Sequence, residues 1–217
     1  MSSAVLERVA ALSERAVIDR YIAARRPVRR DPVAFAAACG FPDLDPWQKE
    51  LLTADWRQAL LNCSRQAGKS SGSSLLGLYE AVELGHLVLL LAPALRQSQE
   101  LMRKVKDAHR NLADHDGDRT PAVVEESALR MEFANGGRIV TLPGRADTIR
   151  GFSGVGLLVV DEASWVPDEV YQAIRPMLAV SGGRIVNLST PFGRRGFFFR
   201  EWAEGELSRL ASPEGAS

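Results

Sequence analysis

The chain has only two cysteines in 217 residues, Cys39 and Cys63. Two thiols cannot build a disulfide framework, and a reducing compartment suits them best. Long apolar runs are missing as well. Nothing approaches the roughly 20 apolar residues of a membrane span, and the N-terminus lacks a signal-peptide core. The expected setting is therefore cytoplasmic, with no membrane partner. Net charge is absent too: 27 basic residues face 27 acidic ones, so no global field announces a nucleic acid. A local imbalance survives in the first thirty residues. There seven arginines (8, 15, 20, 25, 26, 29 and 30) meet three acids, Glu7, Glu14 and Asp19. There is no internal repeat and no low-complexity block, and the length suits one α/β domain with appendages.

What is present is a regular alternation. Apolar positions Val5, Val9, Leu12, Val17 and Tyr21 predict a helix over residues 1–27. Together with the Arg/Pro-rich linker after it and a helix opening at Asp31-Pro32, this forms an N-terminal helical extension, 1–44. Asp45-Pro46 opens the main domain, 45–207. Strands are expected at 59–63, 87–92, 156–160 and 184–189, and helices at 69–84, 94–112, 168–179 and from 196 to about 204. The unbroken run Leu87-Val88-Leu89-Leu90-Leu91 suits a strand buried on both faces of a parallel sheet. Asn135-Gly136-Gly137, between two segments of alternating polarity, marks an inserted β-hairpin. The tail, 208–217, is small and polar and is expected to fray. Strand–helix alternation predicts an α/β fold with a mainly parallel central sheet flanked by helices.

The chemistry concentrates at three strand ends. Cys63-Ser64-Arg65-Gln66-Ala67-Gly68-Lys69-Ser70 follows an apolar strand and opens a helix. This is the context of a P-loop, whose backbone N–H groups and helix dipole favour phosphate. Lys69 would reach the β/γ-phosphates and Ser70 would offer a hydroxyl to Mg²⁺. Cys63 stands where the usual pattern has its first glycine, and Gly-Lys-Ser alone also fits an ordinary helix start. Leu157-Leu158-Val159-Val160-Asp161-Glu162 ends a central strand in two acids, where open α/β sheets bind ligands. Asp161 would hold Mg²⁺ and Glu162 would polarise water. Ser189-Thr190-Pro191 ends another strand in hydroxyls, a pattern that many strand ends share. Gln48, beside Trp47, has a planar donor–acceptor pair that matches an adenine edge, though it could equally be a surface residue.

Taken in order, these motifs resemble the N-terminal ATPase domain of phage terminase large subunits. Trp47-Gln48, Ser64 to Ser70, Arg150-Gly151-Phe152-Ser153-Gly154, Val160-Asp161-Glu162-Ala163 and Ser189 to Phe198 carry the likeness, over roughly residues 45–203. It implies a helicase-like P-loop NTPase fold, ATP and Mg²⁺ as cofactors, and ATP hydrolysis that drives double-stranded DNA into a procapsid. ATP would be held by Gln48, Ser64, Gln66, Ala67, Gly68, Lys69 and Ser70, and Mg²⁺ by Ser70 and Asp161. Glu162, Arg65 and Arg150 would be catalytic. Arg65 would act within the subunit and Arg150 on a neighbour, although an arginine in such a loop is also commonly just solvated. Ser189 and Thr190 would couple hydrolysis to movement, and Arg194 and Arg195 could meet DNA phosphates or nothing. The resemblance further implies a homo-oligomeric ring, a small terminase subunit and a portal protein as partners, and a bacterial host cell. Such proteins usually continue into a nuclease domain. This chain carries only Glu201, Glu204, Glu206 and Glu214 beyond its last motif, so no DNA cleavage is expected of it. The alternatives are another nucleic-acid-stimulated helicase-like ATPase, or a remnant that binds nucleotide without turning it over.

Overall fold

The computed structural model describes residues 29–144, 151–204 and 208–211. The helix expected over 1–27 and Arg150 lie outside the described residues. Asp31 opens helix α1 (Pro32–Ala38), its carboxylate accepting from the backbone N–H groups of Val33 and Ala34. Pro32 loses nothing at the first helical position, where its missing N–H would have no partner. Helix α2 (Pro46–Thr53) repeats the device with Asp45 and Pro46.

Strand β1 (Gln58–Asn62) leads through the loop to α3 (Lys69–Leu84), β2 (Leu87–Ala92) and α4 (Leu95–Asp116). Strands β3 (Val123–Glu126), β4 (Arg130–Phe133) and β5 (Arg138–Pro143) follow, then β6 (Val155–Asp161), α5 (Asp168–Ser181), β7 (Arg184–Ser189), α6 (Gly196–Glu204) and β8 (Ser208–Ala211). All eight strands form one sheet in the order β3-β4-β5-β2-β6-β7-β1-β8. Pairing is parallel from β5 to β8 and antiparallel across β3-β4-β5.

The inserted hairpin is present as expected, β4 and β5 pairing antiparallel, and β5 joins it to the main sheet by pairing in parallel with β2 over six residues. Another pairing revises the sequence reading. The polar tail begins as strand β8, parallel to β1 from Ala59↔Ser208 to Asn62↔Ala211. A backbone ladder satisfies N–H and C=O groups whatever the side chains are, so a polar segment beside an open edge can pair.

The sheet separates two cores. Val88, Leu90 and Ala92 of β2 face α1 to α4, while Leu87, Leu89 and Leu91 face α5 and α6. Successive strand residues point to opposite faces, which explains the unbroken apolar run. Helix α3 reads as a poor helix former, Lys-Ser-Ser-Gly-Ser-Ser, but small residues let it lie close to the sheet. A Cβ at Gly77 would come within 3.3 Å of Val88 Cγ1 and Leu90 Cδ2.

Phe35, Ala36 and Cys39 are fully buried in the first core, so α1 packs against the sheet domain. Burial pushes the Cys39 thiol up to about 12. The junction is fastened by Arg30, which pairs with Glu83 and donates from Nε to Asp116 Oδ2 at 3.0 Å. The Arg30 and Glu83 side chains are only 6% and 8% exposed. Arg30→Ala should therefore cost about 3–5 kcal/mol, because Glu83 is left charged and dry. Urea unfolding followed by circular dichroism measures this. A loss below about 1 kcal/mol, the range of exposed pairs, would show that the bridge is not holding the junction.

Candidate active site

The strand order brings the functional segments together. β6, β7 and β1 are neighbours, so their C-terminal ends place the two acids, the hydroxyl tip and the loop side by side. Cys63 N–H donates to Ser189 O at 3.0 Å, which continues the β1–β7 ladder to the loop's first turn. Cys63 itself is fully buried. Gln66 and Gly68 adopt positive φ, 63° and 72°, turning the chain so that α3 starts at Lys69. A 16-residue helix that starts at Lys69, on the lining of a cavity, offers at its N-terminus the dipole and donors that anions use.

Lys69 is buried and converges on three groups. Its Nζ donates to Ser64 O at 3.1 Å and to Thr190 Oγ1 at 2.9 Å, and lies 3.7 Å from Glu162 Oε1. Ser70 Oγ donates to Asp161 Oδ2 at 2.8 Å, and Glu162 N–H donates to Asp161 Oδ1 at 3.1 Å. Glu162 holds a left-handed backbone, φ 51° and ψ 45°. That conformation costs a non-glycine residue of order 1–3 kcal/mol, and such strain collects at functional sites. The turn behind it, Ala163–Trp165, is tied to β7. Ser164 N–H donates to Ser189 Oγ at 3.1 Å, and Ser164 Oγ donates to Thr190 O at 3.2 Å.

Between these groups lies a cavity of about 520 Å³, lined by Arg65, Gln66, Lys69, Glu162, Trp165, Thr190 and Phe192 among others. Arg65 is exposed, with no ion pair among the described residues.

No protein-family model matches the chain. The terminase large subunit of Thermus virus P23-45 is 28% identical over an alignment of 163 residues that covers 67% of this chain and 33% of that protein. The chain resembles the ATPase part of a phage terminase large subunit. The large terminase ATPase domain of Thermus phage P74-26 superposes with a TM-score of 0.68 at 20% identity, covering 86% of this chain and 85% of that one. The large terminase of a thermophilic bacteriophage, in complex with ATP-γ-S, gives 0.57 at 16% identity, covering 78% and 44%. The chain spans about a third of the length of the curated terminase it matches.

Within this terminase-like frame, the donors beside Lys69 suit Mg²⁺. Ser70 Oγ and Asp161 Oδ2 are hard oxygens, and no cluster of three or more His, Cys, Asp or Glu able to hold a metal occurs among the described residues. Mg²⁺ commonly takes one or two protein oxygens and completes its shell with phosphates and water.

Burial holds the Asp161 carboxyl above the usual carboxylate range, against the opposing hydrogen bond from Ser70. The folded state thus binds this proton more tightly than the unfolded chain does. Asp161's contribution to stability is present at low pH and is lost as pH rises through the raised folded value. Asp161→Asn, melted at neutral pH in a chelator, should therefore unfold no earlier than the parent. The same variant should lose the rise in Tm that Mg²⁺ with ATP gives the parent. A rise equal to the parent's would remove Asp161 from the metal shell.

Gln48, the residue expected at an adenine edge, is buried beside the P-loop. Its Oε1 accepts from Asp45 N–H at 3.0 Å, and its Nε2 packs against the loop, 2.8 Å from where a Cβ at Gly68 would lie. In this arrangement it caps α2 and braces the P-loop. Sequence reasoning passed over Ser164 and Trp165. The only local signal for them is their position directly after the paired acids.

Proposed function

We propose that the chain is a Mg²⁺-dependent ATP hydrolase, the motor part of a terminase that drives double-stranded DNA into a procapsid. The observation that carries this is that Lys69 and Glu162 line one cavity at the sheet's C-terminal edge, with the hydrogen-bonded pair Ser70 and Asp161 adjoining them in sequence. In this reading the N–H groups of Gln66 to Ser70 bind the phosphates, and Lys69 shifts from Thr190 Oγ1 to the β/γ-phosphates. Mg²⁺, when bound by Ser70 and Asp161, supplies charge neutralisation on the phosphate oxygens. Glu162 accepts the proton of the attacking water, and Arg65 stabilises the charge that develops.

The comparison with terminases supports extending the proposal to partners: DNA, a small terminase subunit, a portal protein and further copies of this chain in a ring. Arg150 would be the cation one copy offers its neighbour. The test is ATP hydrolysis by the purified chain, with and without Mg²⁺ and double-stranded DNA, over a range of protein concentrations. Mg²⁺-dependent turnover that DNA stimulates supports the reading. Specific activity that rises with protein concentration supports the shared site. Absence of hydrolysis under all these conditions overturns the motor assignment.

A further inference from the structure

We infer that Trp165 is a positioning residue for Glu162, acting through a stack with Phe192, and this rests on the ATP-hydrolase reading above. Trp165 is 52% exposed, although it is among the largest apolar side chains of the domain. A lone exposed aromatic needs no explanation. This one is not alone: its ring centroid lies 3.6 Å from that of Phe192, with the planes 29° apart. The Arg195 guanidinium covers the Phe192 ring at 4.7 Å. A three-layer column thus joins the turn after Glu162 to the loop after β7.

The column meets a specific mechanical need. Glu162 sits in a left-handed backbone that persists only where its surroundings over-determine it. The two Ser164 hydrogen bonds hold the turn at the end of β7. Ala163 and Val166 are buried in the second core on either side, but Trp165, whose N–H donates to Glu162 O at 2.9 Å, has an exposed ring that needs an anchor of its own. The stack supplies that anchor. Phe192 lies two residues beyond Thr190, the residue that holds Lys69. The base, the hydroxyl tip and the phosphate-binding lysine are therefore referenced to one rigid unit.

Without the stack, Glu162 can relax toward ordinary backbone angles, and its carboxylate then moves relative to the water it must activate. The phosphate contacts should be spared, because they come from the loop N–H groups, Lys69 and Ser70, although Trp165 and Phe192 line the same cavity. Misplacement of a catalytic group by about 1 Å can cost up to about 10²-fold in rate. Trp165→Ala should therefore lower kcat by about 10- to 100-fold. The KM for ATP and the affinity for a fluorescent ATP analogue should change less than kcat, since the phosphate contacts are kept. Trp165→Phe preserves an aromatic pair and should retain at least about half of kcat.

The same proteins are read by hydrogen exchange. Amides of the segment 160–166 should exchange faster in the alanine variant and at the parent rate in the phenylalanine variant, with segment 64–70 unchanged in both. An alanine variant with parental kcat and parental exchange overturns the inference, as does a phenylalanine variant as impaired as alanine. A parent chain that hydrolyses no ATP overturns the motor assignment instead. In that case the exchange data still decide whether Trp165 holds the turn.

Discussion

Glu162→Gln should bind Mg²⁺·ATP as tightly as the parent and hydrolyse it about 10²- to 10⁴-fold more slowly, the usual contribution of a positioned general base. An amide has nearly the shape of a carboxylate but cannot accept the proton of the attacking water. Its oxygen can still take the weak hydrogen bond from Ser189 Oγ, 3.5 Å away in the parent, so the turn has no reason to rearrange. Lys69 loses its carboxylate neighbour at 3.7 Å and becomes freer to meet phosphate, which can only favour binding. Single-turnover hydrolysis alongside equilibrium binding separates the two quantities. If binding falls with hydrolysis, Glu162 is part of the metal shell or of the folded loop, and the base must be another group.

Lys69→Ala should be still more damaging, because it removes contacts in both the ground state and the transition state. Hydrogen bonds to a charged group are worth about 1.5–3 kcal/mol, so nucleotide affinity should fall by about 10- to 100-fold. Losing one preorganised donor to developing charge costs about a further 10²- to 10³-fold in turnover. The remaining site is electrostatically wrong as well: Glu162 and Asp161 would face the phosphates with no fixed cation between them. Stability should change little, since among the described residues the ammonium meets Ser64, Thr190 and Glu162 at the rim of the core. A variant that melts like the parent and still turns over ATP at a comparable rate would remove the P-loop from the mechanism.

Much of this arrangement is legible from local pattern. The Asp-Pro starts of α1 and α2, the greasy run of β2 and the acids that end β6 each declare themselves within a few residues. The hidden elements depend on distant partners. Strand β3 is four mostly exposed residues with a register shift against β4, so it shows no clean alternation. Helix α1 is short and rich in alanine, and its burial is set by packing against α2 and α4 rather than by its own periodicity. Gln48 carries two readings in sequence, and only the fold reveals that its oxygen serves the start of its own helix. Trp165 and Phe192 lie 27 residues apart along the chain, and nothing in either neighbourhood announces the other.

The burial of both cysteines has a practical consequence. Cys39 closes α1 and Cys63 lies beneath the phosphate loop, and both are at 0% exposure. An alkylating reagent can reach either thiol only when the chain around it opens, so labelling rates become two separate clocks. One times the release of the N-terminal junction that Arg30 fastens. The other times the breathing of the loop itself, and a nucleotide seated on that loop should slow the second clock while leaving the first to run.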